Sequence, residues 1–275
     1  KNYNPDFVFF GHSENIHRKT LENLREINKK VLISQWNEDP MMQGLEDSRD
    51  NIKKLKKFED LVDINFITTD PDVINKKHNI KNLSFFFIPV DRNIECFDVY
   101  NMKPKNDLFY AMSHGVNRGT LKKGKFDNRI NFLNKLTNYL EGIDYDFYGY
   151  DNIQPVWADK FYKALIDCKM GLNLSRGEPT KYYTSNRIAS LIGNGLLTFI
   201  DRKTQIDRIF NENEIIFYNG IPDLADKIKF YKINEKSRIK IAKKGQKKYF
   251  KLFNEKNTSN YLLNKTLGKN ISLIT

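Results

Sequence analysis

Two stretches of the chain gather side chains able to hold an anion. The first runs Ser113, His114, Gly115, Val116, Asn117, Arg118, Gly119 and continues through Lys122, Lys123, Gly124 and Lys125. Glycines let a backbone approach a ligand closely, and arginine and lysine neutralise phosphate oxygens. Arg129 follows Asp127 in what reads as a first helical turn. A cation there opposes the helix dipole, and a bound anion would relieve the conflict. The plainer reading of this stretch is a basic turn. The second stretch carries Asn173, Ser175, Arg176, Lys181, Tyr183, Thr184, Ser185 and Arg187 ahead of an apolar helical pattern. Capping that helix requires only Thr184 or Ser185. The added cations point instead to phosphate or carboxylate held by free backbone N–H groups and positive side chains.

Proton transfer would fall to other residues. His12 follows Gly11 at the end of one β-rich run, and Glu38 and Asp39 follow Trp36 at the end of another. Either type of group could take a proton from a hydroxyl within hydrogen-bond reach. His114, inside the first basic stretch, could donate to a phosphate or a leaving group. Each of these four reads equally well as a loop residue with a structural hydrogen bond. Asp144 and Asp146 form an Asp-x-Asp pair, but alternation along 145–148 makes them strand-flanking residues. No cysteine or histidine spacing suits a metal, so none is expected, and Cys96 and Cys168 suggest no disulfide framework.

Hydrophobic periodicity supplies the elements that must position these groups. A β-α-β unit is expected from the run at 7–10, a helical pattern around Leu21, Leu24 and Ile27, and a strand at 31–36, with further strands at 65–68 and 84–89. A first strand so near Lys1 leaves a small sheet, and the expectation is a partial N-terminal lobe over 1–102 with a segment preceding it. Residues 101–107 read as a hinge. Beyond it, strands at 108–112, 145–148, 171–175, 196–200 and 215–218 alternate with helical periods, including one whose Ile130, Leu133, Leu136 and Leu140 share a face. Such alternation indicates an α/β fold with a parallel, doubly wound sheet over 103–230, followed by helices over 231–275. Ligands of these sheets bind at the carboxyl ends of the strands, where both basic stretches fall.

Composition sets the outer bounds. The chain has 275 residues, 40% hydrophobic and 13% aromatic, enough to bury a core in each of two modest domains. Its longest apolar runs fall well short of the ~20 residues that cross a bilayer, and no signal-peptide pattern opens it, so a cytoplasmic protein is expected. A formal net charge of +12, from 46 Lys and Arg against 34 Asp and Glu, directs attention to nucleic acid, anionic lipid or phosphorylated small molecules. Part of the excess, at 53–57 and 240–251, reads simply as solvated helix face.

The run Lys169-Met170-Gly171-Leu172-Asn173-Leu174-Ser175-Arg176, then Thr184-Ser185-Asn186-Arg187 with Gly195 and the strand behind it, resembles the C-terminal donor lobe of GT-B glycosyltransferases. More narrowly it is similar to group-1-like bacterial proteins related to the CgeB family. The likeness covers roughly 105–255 well and is looser before that. It implies two Rossmann-like lobes, with the nucleotide of an activated sugar on the second. Carried over, Arg118, Lys123 and Arg129 would meet the phosphates, and Ser175, Thr184, Ser185 and Arg187 the phosphate, ribose or sugar. Many retaining members place a glutamate three residues after the helix-leading arginine to hold the ribose, and here that position is Ser190. A cytidine-monophosphate donor therefore suits the residues as well as a diphosphate one.

The resulting expectation is a metal-independent glycosyltransferase with no cofactor beyond its nucleotide-sugar co-substrate. It would act on a glycan or lipid-linked acceptor in bacterial cell-envelope polysaccharide synthesis, with peripheral contact to anionic membrane. A nucleic-acid-binding protein and a nucleotide-sugar epimerase are the alternatives. The aromatic residues follow core periodicity without a stacking motif, and acidic and histidine groups suited to epimerisation are few.

Overall fold

A computed structural model describes residues 3–11, 15–41, 46–113, 120–121, 125–126 and 128–273, and they fall into two units. The first comprises 1–89, 180–183 and 255–275, and the second 90–179 and 184–254.

In the first unit, strands β1 (Phe7–Phe10), β2 (Leu32–Asn37), β3 (Ile64–Ile67) and β4 (Leu83–Phe85) form a parallel sheet in that order. Side-chain alternation divides the sheet faces. Ile33 packs with Leu21 of α1 (Arg18–Ile27), and Ile67 packs with Ile52 and Leu55 of α2 (Glu46–Lys57) and Ile74 of α3 (Pro71–His78). The opposite face carries Ser34, Trp36 and Phe66. It is covered by α9 (Glu255–Thr266), whose Tyr261 ring lies 5.9 Å from Phe66 and whose Tyr261 hydroxyl donates to Phe85 O at 2.9 Å. The expected strand at 84–89 is shorter: after Phe85 the chain leaves the ladder.

The second unit is the doubly wound sheet that the alternation predicts. Strands β5 (Asn106–Ala111), β8 (Tyr145–Tyr148), β9 (Cys168–Asn173), β10 (Leu197–Asp201) and β11 (Ile216–Tyr218) are parallel, in the order β11-β10-β9-β5-β8. One face holds Leu108, Tyr110, Leu172, Phe199 and Tyr218 against α4 (Asn128–Thr137), α7 (Ile221–Ile233) and α8 (Glu235–Phe253). The other holds Phe109 and Ala111 with Leu165 of α5 (Ala158–Ile166) and Leu191 of α6 (Arg187–Gly193). Inside the Gly- and Lys-rich stretch, β6 (Thr120–Leu121) and β7 (Lys125–Phe126) pair antiparallel.

Two further boundaries differ from the sequence expectation. The expected hinge at 101–107 lies within the second unit, because the preceding segment is bonded into it: Val99 N–H donates to Asn194 O at 3.0 Å, and Tyr100 donates to Gln246 Oε1 at 2.6 Å. Gln246, buried on α8, donates in turn to Gly193 O at 2.8 Å and Asp98 Oδ1 at 2.9 Å. The helices expected at 231–275 do not form one group, since α8 belongs to the second unit and α9 to the first.

Gly245 sits where α8 passes closest to other backbone. A Cβ built there would lie 2.1 Å from Glu214 O. Alanine inside a helix normally stabilises by about 1 kcal/mol over glycine. Here overpacking reverses the sign, and Gly245→Ala is expected to cost about 1–3 kcal/mol. A thermal melt checks this, and an unchanged or raised Tm would contradict the close approach.

Candidate functional site

At the carboxyl ends of β5 and β9 a polar cluster replaces the apolar core. Asn173, buried at the last position of β9, accepts a hydrogen bond from Ser185 Oγ at 3.2 Å, and Ser175 Oγ accepts one from Ser185 N–H at 3.2 Å. Arg187, the first residue of α6, threads this cluster. Its Nε donates to Ala111 O at 2.8 Å, its Nη1 to Leu174 O at 3.1 Å and to Ser185 Oγ at 2.9 Å, and its guanidinium stacks 4.8 Å from the Tyr110 ring centroid. Strand-end carbonyls have outrun their ladder partners and are strong acceptors. Arg187 therefore ties two neighbouring strand ends together. Thr184 is buried beside it and donates to Ser185 O at 3.3 Å.

Residues around this cluster complete the edge. Arg129 is 6% exposed on the first turn of α4, and the neighbouring Asn128 side chain accepts from Gly177 N–H at 3.2 Å. Ser113 is exposed two residues past the end of β5, and Arg176 is half-buried after β9. Asp201 ends β10 with Tyr218 of β11 as its register partner. Burial pushes the Asp201 carboxyl above its ordinary value, against the opposing hydrogen bond from Lys203 N–H. The Tyr218 hydroxyl is fully buried and has no hydrogen-bond partner among the described residues. Tyr110, Asn128, Asp201 and Tyr218 were not singled out by the sequence. The tyrosines read as core aromatics, and only their positions at strand ends could have drawn attention to them.

Lys181 and Tyr183 have their own partners. Both belong to the first unit, where Lys181 Nζ pairs with the buried Asp70 carboxylate and Lys181 O accepts from Asp70 N–H at 3.1 Å. Its charge is thereby matched by a protein carboxylate. Tyr183 is buried, with its N–H donating to Thr180 O at 3.0 Å. Between them Tyr182 takes a left-handed conformation, φ 64°, which costs a bulky residue about 1–2 kcal/mol. Its ring lies 5.1 Å from Phe85.

The carboxyl edge of the first sheet holds the proton-transfer candidates that the structure describes. Glu38 and Asp39 follow β2 directly and are partly buried. Glu38 O accepts from Thr68 Oγ1 at 3.2 Å, and Asp39 N–H donates to Asn37 Oδ1 at 2.9 Å. Gly11, the residue after β1, is pressed against Trp36, whose indole leaves no room for a Cβ there. His12, His114, Gly115, Arg118 and Lys123 lie outside the described residues. Among the described residues, no group of three or more His, Cys, Asp and Glu could hold a metal ion, and no helix is long and apolar enough to cross a membrane.

Residues 129–264 match the model of a family described as glycosyl transferase-like. No curated protein matches the chain. Solved structures do. Anabaena HepE in complex with UDP and glucose superposes with a TM-score of 0.61 at 8% identity, covering 96% of this chain and 78% of its own. An alpha-glucosyltransferase in complex with UDP and a 13-mer DNA gives 0.61 at 10% identity, covering 95% and 79%. Sucrose-phosphate synthase from Thermosynechococcus elongatus gives 0.59 at 10% identity, covering 97% and 75%. At such identities the likeness concerns the fold.

Proposed function

We propose that this chain, whose residues 129–264 match the model of a glycosyl transferase-like family and whose fold is similar to that of solved glycosyltransferases, is a GT-B glycosyltransferase whose donor is a uridine diphosphate sugar. The acceptor is a hydroxyl of a glycan or lipid-linked glycan in cell-envelope polysaccharide synthesis, at the cytoplasmic face of a membrane. The observation that carries this reading is the cluster of Asn173, Ser175, Ser185 and Arg187 at the carboxyl edge of the second sheet, inside the family-matched region. Two of the similar structures contain UDP, which favours it over a cytidine-monophosphate donor.

In the proposed reaction the acceptor oxygen attacks the anomeric carbon, the bond from that carbon to the diphosphate oxygen breaks, and the acceptor proton passes to a base. His12, Glu38 and Asp39 are the candidate bases. Ser113, Gly115, Arg118, Lys123, Arg129 and Arg176 are the candidate phosphate-binding residues, with His114 the candidate donor to the leaving group. Asn173, Ser175, Thr184 and Ser185 face the phosphate, ribose or sugar, with Arg187 holding them in place. Positive side chains and N–H groups stabilise the departing diphosphate without requiring a metal or a further cofactor. Lys181, paired with Asp70, and Tyr183 complete the candidate donor-binding set.

A thermal-shift series with UDP, CDP, CMP and GDP tests the donor. Ligand at 100 times its Kd stabilises the folded state by about 2.7 kcal/mol, so saturating UDP should raise Tm by several degrees and the other nucleotides by less. Absence of any nucleotide shift, together with oligonucleotide binding that falls steeply with salt, would establish a nucleic-acid-binding protein instead.

A further inference from the structure

Helix α8 concentrates the charge of the molecule. Its 19 residues carry seven lysines and one arginine against one glutamate, a formal +7 of the chain's +12. The fold sorts these residues by face. Arg238, Ile241, Ala242, Gly245, Gln246, Tyr249 and Phe253 are buried, whereas Lys236, Lys240, Lys243, Lys244, Lys247 and Lys251 are exposed. At 3.6 residues per turn these six fall in a sector roughly 100° wide and extend about 22 Å along the axis. Lys236, Lys240, Lys244 and Lys247 pair with no carboxylate among the described residues, and Lys243 lies over the Tyr100 ring at 5.0 Å. The last turn of α7, immediately before this helix, presents two apolar side chains to solvent: Phe230 is 52% exposed and Ile233 is 80% exposed.

We propose that the lysine face of α8, with Phe230 and Ile233 at its N-terminal end, is the surface by which this protein sits on an anionic phospholipid bilayer. Juxtaposed cations gain roughly 1 kcal/mol per lysine near an anionic surface, and flexible lysine stems follow mobile headgroups. Exposed apolar side chains beside such a stripe enter the boundary between headgroups and acyl chains. Nucleic acid is the less suitable partner. Its recognition draws on arginine forks and stacked aromatic rings, whereas the one arginine of α8, Arg238, is buried. The surface goes beyond the donor chemistry and stands on separate residues.

Co-sedimentation of the whole protein with vesicles tests the assignment. Vesicles containing about one third phosphatidylglycerol in phosphatidylcholine should bind it, and pure phosphatidylcholine vesicles should not, with binding weakened by salt. The variant K236Q/K240Q/K244Q/K247Q keeps helix-forming residues at exposed positions. It should lose at least about 100-fold in vesicle partitioning while retaining the wild-type Tm shift with UDP, and Ile233→Ser should lose a smaller factor. Equal partitioning of the quadruple variant, no vesicle binding by the wild type, or displacement of the wild type from vesicles by a double-stranded oligonucleotide of equal charge would overturn the proposal. Absence of the UDP shift in both proteins, with vesicle binding as expected, would defeat the donor reading and support the surface.

Discussion

Arg187→Ala lowers the affinity for UDP by at least about tenfold and lowers Tm by a few degrees. The substitution removes the donors that reach Ala111 O, Leu174 O and Ser185 Oγ, together with the contact over the Tyr110 ring. Leu174 O keeps the Tyr110 hydroxyl as a donor at 3.1 Å, so the loss falls chiefly on Ala111 O, and a carbonyl left unsatisfied in a partly buried site costs about 1–3 kcal/mol, reduced where water can enter. Ser185 then loses the bond that orients its hydroxyl between Arg187 and Asn173, and the polar cluster loosens. Loosened groups bind a ligand less tightly because ordering must accompany binding. Arg187→Lys is expected to rescue little, since a single ammonium on a flexible stem cannot reproduce donors spread over a planar fork. Calorimetric titration with UDP and thermal melts of both variants give the answer. A drop in Tm with unchanged UDP affinity would mean that Arg187 braces the strand ends without serving a donor site.

Asp107→Asn has the largest expected effect on stability alone. Asp107, fully buried near the start of β5, accepts from Lys169 Nζ at 2.7 Å and from Asp144 N–H at 3.1 Å, and pairs with Lys232 Nζ of α7 at 2.6 Å. Burial by itself would raise this carboxyl. The hydrogen bonds from Lys169, Lys232 and Asp144 outweigh that and hold it below the ordinary carboxylate value. Removing one member of a buried pair typically costs about 3–5 kcal/mol. The lysine side chains are 25% and 31% exposed and recover some hydration, so about 2–3 kcal/mol is expected. That corresponds to roughly 5–10 °C in Tm.

The pH dependence follows from the direction of the shift. A carboxyl whose folded pKa lies below its unfolded value, about 3.9, binds its proton more readily when unfolded. Its contribution is complete above the unfolded value and is lost as pH falls through the folded one. Wild-type Tm should therefore decline on acidification below about pH 4 more steeply than that of Asp107→Asn, and the two curves should converge. Parallel acid limbs would show that Asp107 is not the group responsible.

The two sheets were legible because the residues that build them repeat. β5, β8, β10 and β11 each lie within two residues of their expected positions and β9 within three, since apolar strands buried on both faces leave few alternatives. Positions of the polar groups were partly legible for the same reason: Asn173 and Ser175 fall at a strand end whatever their partners. The helical tail was not. Nothing in local periodicity distinguishes α8, which packs on the second sheet, from α9, whose Tyr261 packs on Phe66 of the first.

By itself, the sequence determined that there are two parallel α/β units and that hydroxyls, amides and cations collect at the carboxyl edge of the second, because periodicity and loop composition are local properties of a chain. Tertiary structure alone decided which charges are matched. Lys181 meets Asp70, Asp107 meets Lys169 and Lys232, and Arg187 meets two strand-end carbonyls. A side chain's partner is set by which elements the fold brings within hydrogen-bond distance, and no spacing along the sequence specifies that.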